Sequence, residues 1–165
     1  MSNIGIFYGS TGGNTQDAAK ELAKLLDADV HNVYKASVDE LNNYETIILG
    51  SSTWGVGELQ DDWEDFLPKL QCLKLEGKKV ALFGLGDGES YADTFVDAIG
   101  IIHNALKEQA CQFIGKVSTD GYEYDESLAE IDGMFIGLPL DDDNQSDLSP
   151  QRLIQWAEQL KTELQ

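Results

Sequence analysis

The residues with the clearest chemical potential form a loop of glycines and hydroxyl side chains, Gly9-Ser10-Thr11-Gly12-Gly13-Asn14-Thr15. An apolar run precedes this loop and a segment of helical periodicity follows it. The N-terminus of a helix suits an anion, because its N–H groups are unpaired and its dipole is positive there. No lysine or arginine occurs in residues 3–19, so the lysine of a nucleoside-triphosphate P-loop is missing. The loop therefore favours one phosphate monoester held by neutral donors, with an ordinary glycine-rich turn as the alternative.

Two further loops each carry one large aromatic residue in polar, glycine-rich surroundings. They are residues 52–59, which include Trp54, and residues 86–93, which include Tyr91. Both follow apolar runs that read as strands, and loops at the carboxyl ends of parallel strands form the ligand site of doubly wound sheets. Two facing aromatics can sandwich a planar ring, each stack contributing about 0.5–1.5 kcal/mol beyond area burial. With the phosphate loop they favour a flat phosphorylated ligand; alternatively, both aromatics contact solvent or a partner.

The elements that must position these loops alternate short apolar runs with helical segments, which is typical of a parallel sheet covered on both faces. The spacing predicts an α/β, three-layer sandwich in a single domain over residues 1–165. Asp93 is expected to cap the helix that follows it. The five predicted strands cover residues 4–8, 30–33, 46–51, 79–85 and 113–117, the last resuming at 134–138 after a polar insertion at about 118–133.

The charge of the chain is strongly negative, with 30 acidic residues against 11 basic ones, a net charge of −19 and a pI of about 4.1. Such a surface disfavours nucleic acid and anionic membranes and attracts basic partners, although it also serves solubility. No apolar stretch approaches the ~20 residues of a membrane span. Cys72 and Cys111 lie far apart without a CxxC motif, which favours a reducing, cytoplasmic location. No catalytic constellation and no metal-ligand set stands out.

Four segments together resemble the flavodoxins: the phosphate loop, the Trp54 loop, the Tyr91 loop and the run Leu140-Asp141-Asp142-Asp143-Asn144-Gln145. The insertion within strand five resembles that of the long-chain subgroup. The resemblance implies a flavodoxin-like fold with strand order 2-1-3-4-5 and a non-covalently bound flavin mononucleotide, FMN. It also implies a monomeric, low-potential single-electron carrier, not an enzyme, that passes between oxidised, neutral semiquinone and anionic hydroquinone states. The implied partners are basic-faced redox proteins such as ferredoxin–NADP reductase, photosystem I or other reductases and acceptors.

The resemblance also assigns roles by position. The phosphate loop would wrap the FMN phosphate, Trp54 would stack on the inner face of the ring and Tyr91 on the outer face. The Gly55–Val56 peptide would lie beside flavin N5, while Thr53 and Asp143 would face the ribityl hydroxyls. Backbone groups of residues 86, 87, 94 and 96 would meet the pyrimidine edge. The complete expected set is Ser10, Thr11, Gly12, Gly13, Asn14, Thr15, Ser52, Thr53, Trp54, Gly55, Val56, Gly57, Leu85, Gly86, Asp87, Tyr91, Asp93, Thr94, Phe95, Val96, Asp97 and Asp143.

The sequence departs from the family pattern in three places. Gly12 stands where the phosphate loop usually has a hydroxyl residue, and Gly88 with Ser90 replaces the usual Gln and Gly before Tyr91. Gly55 stands where long-chain members commonly have asparagine. Because positive φ is inexpensive for glycine, Gly55 should ease a turn of the 55–56 peptide towards the flavin.

Acidic residues cluster by sequence around the two aromatic loops, and they should lower the potential of the second reduction and steer basic partners. They are Glu58, Asp61, Asp62, Glu64, Asp65, Asp87, Glu89, Asp93 and Asp97.

Two other functions compete with the carrier. An FMN-dependent quinone or NAD(P)H oxidoreductase on the same sheet would need a second substrate pocket, which nothing in the sequence marks. A flavin-free receiver domain would need a phosphoacceptor aspartate after the third strand, where this chain has Ser51 and Ser52.

Overall fold

The computed structural model describes residues 3–165 as a central sheet with helices on both faces. The helices are α1 (Asn14–Leu26), α2 (Asp61–Gln71), α3 (Asp97–Leu106) and α4 (Ser149–Glu163). The strands are β1 (Ile4–Gly9), β2 (Asp29–Asn32), β3 (Thr46–Trp54), β4 (Glu58–Leu59), β5 (Lys79–Leu85), β6 (Gln112–Ile114), β7 (Val117–Ser118), β8 (Glu130–Ile131), β9 (Met134–Phe135) and β10 (Leu138–Leu140). Over this range, the helices all lack the combination of length and apolar character that spanning a membrane would require.

The main sheet runs in the order β10-β5-β3-β1-β2, and every neighbouring pair on this path is parallel. Counted as main strands, this order is 2-1-3-4-5, so the predicted α/β fold and topology are confirmed. β6 pairs with the first half of β5, where Gln112 faces Lys79, and β10 pairs with the second half, where Leu138 faces Phe83. The fifth strand is therefore split into two short pieces.

The chain between β6 and β10 forms a small antiparallel sheet in the order β7-β9-β8. Val117 pairs with Phe135 in this sheet, although the sequence placed both within the fifth strand. The physical reason is a separate aromatic cluster: the buried ring of Phe135 packs against Phe95 and Tyr124, with centroid distances of 6.1 and 5.1 Å. The inserted segment thereby reaches the chain that leads into α3.

Each face of the main sheet is covered by two helices. Trp63 of α2 and Ile99 of α3 are buried against one face, and Leu22 of α1 and Trp156 of α4 against the other. The indole N–H of Trp63 donates to the carbonyl oxygen of Gly50 at 2.7 Å, so its burial leaves no polar group unpaired. Burying an aliphatic side chain such as Leu22 or Ile99 contributes about 1.5–3 kcal/mol. This packing fixes the carboxyl ends of the strands, where the loops begin.

The start of α3 differs from the prediction. Asp93 lies in a single 3-10 turn, Ala92–Thr94, and it does not cap the helix. α3 begins at Asp97, and the hydroxyl oxygen of Thr53 accepts the N–H of Ala98 at 3.1 Å. The prediction that Asp93 is the cap was wrong because the acceptor comes from β3, which only the tertiary structure brings close.

Candidate functional site

A cleft of about 290 Å³ opens at the carboxyl ends of β1, β3 and β5. Its size is near the lower end of the range of about 300–1,000 Å³ for small-molecule sites, and its place is the one expected for a doubly wound sheet. The cleft is lined by Ser10, Gly12, Asn14, Thr15, Ser52, Thr53, Trp54, Gly55, Leu85, Gly86, Asp87, Tyr91, Asp142 and Asp143. Of these, only Asp142 was absent from the predicted set.

The phosphate loop joins β1 to α1 with the geometry that an anion site needs. Gly13 precedes the helix at φ +95°, and no side chain caps the first helical turn. The Ser10 hydroxyl oxygen accepts the N–H of Gly13 at 3.0 Å, which closes the loop. A Cβ added to Gly12 or Gly13 would meet nothing within 4 Å, so the loop borders open space. The first-turn N–H groups are therefore available to an anion.

Thr11 and Thr15 have different positions in the phosphate loop. The hydroxyl oxygen of Thr11 accepts the side-chain N–H of Gln60 at 3.2 Å, and Thr11 does not line the cleft. Thr15 is 1% exposed and borders the cleft from the first turn of α1. The cleft lining contains no lysine or arginine, as the sequence predicted for this loop. The hydroxyls and backbone amides are neutral donors.

The two aromatic side chains stand on opposite loops of the cleft and are only half buried, Trp54 at 45% and Tyr91 at 46% exposure. Trp54 ends β3, and its indole N–H donates to the hydroxyl oxygen of Ser52 at 2.7 Å. The N–H of Tyr91 donates to the carbonyl oxygen of Asp87 at 3.0 Å, which closes a turn. Hydrogen bonds thus hold both residues in place while about half of each stays exposed, which suits stacking on a planar ligand.

A three-residue loop connects β3 to β4 through Gly55, Val56 and Gly57. Gly55 has φ +52° and Gly57 has φ +78°, a region that residues with a Cβ rarely adopt. A Cβ at Gly57 would also lie 2.7 Å from a carboxylate oxygen of Asp97, whereas one at Gly55 would meet only the carboxylate of Glu58, at 3.3 Å. Both glycines are therefore required by the hairpin, and Val56 at its tip is 77% exposed.

The Tyr91 loop begins with an ordered carboxylate. A side-chain oxygen of Asp87 accepts the N–H groups of Ser90 at 2.9 Å and of Glu89 at 3.1 Å. The side-chain amide of Asn144 donates to the same oxygen at 2.8 Å. The hydrogen bond from Ser90 is the main reason that the pKa of Asp87 lies below its usual value. Asp87 therefore stays ionised and folds the loop around itself.

Three carboxylates, those of Asp87, Asp141 and Asp143, approach within 4.8 Å of one another at this end of the cleft. Partial burial, followed by repulsion from Asp87 and Asp141, raises the pKa of Asp143. The cleft is therefore electrically polarised, since one end is acidic and the other presents N–H and hydroxyl donors. An anionic group of a ligand is repelled from the acidic end and favoured at residues 10–15.

Nine predicted residues do not line the cleft. Phe95 and Val96 are buried, and Phe95 stacks on Tyr124 of the inserted segment at a centroid distance of 5.4 Å. Asp97 is also buried, and its carboxylate accepts the N–H of Leu128 at 2.8 Å. These side chains pack beneath the loops and do not face the cleft. Ligand contacts by their backbone groups stay a prediction. The nine are Thr11, Gly13, Val56, Gly57, Asp93, Thr94, Phe95, Val96 and Asp97.

Sequence reasoning missed residues in the run that follows β10. Asp142 lines the cleft and accepts a hydrogen bond from the Ser149 hydroxyl at 2.5 Å. Asp141 is buried at 3% exposure, and Asn144 links it to Asp87. Three consecutive aspartates gave a signal that this segment matters. They could not show which one faces the ligand, because that depends on the direction in which the chain leaves β10.

A parallel α/β sheet with a glycine-hydroxyl loop after its first strand, and two aromatics across the strand ends, defines a mononucleotide-binding class of protein. The flavodoxin family model matches residues 6–156, and the chain belongs to the flavodoxin family.

Proteins of known identity show the same relationship over nearly the whole chain. The flavodoxin of Trichodesmium erythraeum is 44% identical over 168 residues, covering 99% of this chain and 98% of that protein. Flavodoxin 1 of Escherichia coli K12 is 42% identical over 169 residues, covering 99% and 96%. The crystal structure of the Fusobacterium nucleatum flavodoxin bound to flavin mononucleotide superposes with a TM-score of 0.93 at 34% identity, covering 99% of each chain. The resemblance found in the sequence is confirmed.

Proposed function

We propose that this chain is a low-potential single-electron carrier, not an enzyme, that holds FMN non-covalently in the cleft. The observation that carries the proposal is the pairing, in one cleft of a flavodoxin-family chain, of an open phosphate-type loop with two half-exposed aromatics. FMN, when bound, supplies reversible one-electron transfer, and the protein supplies binding and electrostatics.

The residues present fit FMN in charge and shape. Its single phosphate matches the neutral donors of residues 10–15, because a monoester needs no lysine or metal ion to be held at a helix N-terminus. Its planar ring can stack between the aromatic side chains of Trp54 and Tyr91, which line the cleft on opposite loops. The acidic end of the cleft disfavours a second anionic group, which argues against a polyphosphate. The site thus selects one phosphate, a polar chain and a flat ring.

The residues on each side of the cleft contribute differently to FMN binding. Trp54 and Tyr91 hold the ring and exclude water from its two faces. The Gly55–Val56 peptide lies on the loop assigned to flavin N5, and glycine lets that peptide turn at little conformational cost. Thr53 uses its oxygen to accept the N–H of Ala98, so its hydroxyl hydrogen is left to donate to the ribityl chain.

Acidic side chains set the electrostatics of the same region. The first turn of α2 carries Asp61, Asp62 and Glu64, directly after the Trp54 hairpin. Adding an electron near these charges is unfavourable, so they lower the potential of the second reduction. The same charges attract redox proteins with basic faces, for which ferredoxin–NADP reductase and photosystem I are examples. The split fifth strand supports assignment to the long-chain subgroup, and the two free cysteines support a reducing, cytoplasmic location.

Equilibrium titration of the flavin-free protein with FMN and with riboflavin tests the proposal. We expect one FMN per chain, quenching of flavin fluorescence, and weaker binding of riboflavin because it lacks the phosphate. Equal affinity for the two ligands would contradict the assignment of residues 10–15. The oxidoreductase alternative predicts rapid reduction of the loaded protein by NADPH and turnover with a quinone, whereas a carrier reacts slowly without a reductase.

A further inference from the structure

The loop that carries Tyr91 is held by Asp141, a residue that does not line the cleft and has no role in the proposed function. The buried carboxylate of Asp141 accepts the N–H of Gly88 at 3.0 Å through one oxygen. Its other oxygen accepts the backbone N–H of Asn144 at 3.1 Å, and the Asn144 side-chain amide also donates to both Asp141 oxygens, at 3.0 Å each. Since that amide also donates to Asp87, the first two residues of the turn, Asp87 and Gly88, are both linked to Asp141.

Gly88 shows how tightly the loop is held. A Cβ at this position would overlap the carbonyl oxygen of Glu123 in the inserted segment, and it would lie 3.0 Å from a carboxylate oxygen of Asp141. The backbone of Gly88 is thus clamped between the inserted segment and Asp141. This accounts for a glycine where the family pattern usually has glutamine, because no side chain fits between the two neighbours.

The contacts of Gly88 with Asp141 and Glu123, which we call the clamp, lie next to the loop that carries Tyr91 into the cleft. Gly88 lies three residues before Tyr91, and the intervening turn is closed by the hydrogen bond from the N–H of Tyr91 to the carbonyl oxygen of Asp87. At the root of the loop, the N–H of Gly86 donates to the carbonyl oxygen of Leu140, the residue just before Asp141. Tyr91 itself is 46% exposed, so the backbone of its loop contributes strongly to where its side chain stands.

We propose that Asp141, together with Asn144, is a positioning residue that sets how the Tyr91 wall meets the ring of the bound flavin. The inference rests on the proposed function. It concerns the protein's own residues, since Asp141 does not line the cleft and acts through Gly88 and the turn that follows.

The substitution Asp141→Asn breaks the clamp with almost no change in shape. Each carboxylate oxygen accepts at least one N–H, so an amide in either orientation places its NH₂ group against a donor. Asp147→Asn is the matched control, because Asp147 is an exposed aspartate in the same acidic segment and its replacement removes the same charge. Gly88→Ala disturbs the same contacts from the Tyr91 loop, because the added Cβ would overlap the carbonyl oxygen of Glu123.

The experiment measures FMN dissociation constants for Asp141→Asn, Gly88→Ala and Asp147→Asn, each with Tyr91 present and with Tyr91→Ala. With Tyr91 present, we expect Asp141→Asn and Gly88→Ala to weaken FMN binding about tenfold, the scale of a lost hydrogen bond to a buried charge. With Tyr91→Ala, the same substitutions should change affinity by less than about twofold, because the residues act as one unit. Asp147→Asn should have no effect in either background, and visible circular dichroism of the bound flavin should change only for the clamp variants.

Equal weakening in both backgrounds would overturn the proposal, because Asp141 would then support the fold and not the position of Tyr91. Unchanged affinity for Asp141→Asn would overturn it as well. If Asp141→Asn does not fold, Asn144→Ala and Gly88→Ala provide the same comparison. Failure of the unaltered protein to bind FMN would refute the proposed function itself, a result distinct from both of these.

Discussion

Replacing Gly55 by alanine tests the conformational demand of the hairpin that faces the cleft. Gly55 has φ +52°, and holding a residue with a Cβ there costs about 1–2 kcal/mol. The added Cβ would meet only the flexible carboxylate of Glu58, at 3.3 Å, so the strain is conformational and not steric. For a chain of this size we expect Tm to fall by about 2–8 °C.

The same substitution should change the electron-transfer properties of the FMN-loaded protein. We expect the demand for positive φ at residue 55 to be stricter when the 55–56 peptide is turned towards flavin N5, in the half-reduced protein, than in the oxidised and fully reduced proteins. Each kcal/mol of this difference lowers the first midpoint potential and raises the second by about 43 mV. We therefore expect the two midpoints to approach each other by about 86 mV for each kcal/mol.

Gly77→Ala is the matched control for this experiment. Gly77 has φ +79°, its added Cβ would meet nothing within 4 Å, and it lies in the turn before β5, away from the cleft. It should lower Tm by a similar amount and leave both midpoints unchanged. Unaltered Tm and midpoint separation in Gly55→Ala, or an equal shift of the midpoints in Gly77→Ala, would show that positive φ at residue 55 has no role in the electron-transfer properties.

Three further changes probe the phosphate loop, the pH dependence and the acidic surface. Thr15→Ala should weaken FMN binding about tenfold and riboflavin binding far less, as measured by fluorescence titration. Burial lowers the pKa of His103, so folding stability should fall as pH drops through its ordinary pKa, and His103→Gln should flatten this slope in urea denaturation. Neutralising Asp61, Asp62 and Glu64 should raise the second midpoint potential and weaken the salt dependence of association with a basic reductase; unchanged values would leave the acidic surface a solubility feature.

The fold could be predicted from the sequence because its signals are local. Apolar runs such as residues 46–51 and 79–85 are long enough to be read as buried strands, and the helix after the phosphate loop shows its apolar face directly. The meeting of the three loops in one cleft followed from the same pattern, because ligand sites of parallel sheets lie at the strand carboxyl ends, whereas Asp143 was assigned through the family resemblance. Recognition of the family motifs then supplied the identity of the ligand.

What could not be predicted depends on contacts between distant segments. Thr53 caps α3 across 45 positions of the sequence, so the local candidate, Asp93, was a wrong choice. Asp141 accepts the N–H of Gly88 across 53 positions of the sequence, and the residues around either position do not indicate this contact. The small sheet containing Phe135 was assigned to the fifth strand because its short apolar segments have the composition of a buried strand.

The central claim, that this chain is a single-electron FMN carrier, is tested most directly by an anaerobic spectroelectrochemical titration of the FMN-loaded protein. We expect two resolved one-electron steps, with the second at a distinctly lower potential because the electron is added beside the acidic loops. A single two-electron step, with both electrons taken up at one potential as a hydride-accepting oxidoreductase would do, would contradict it.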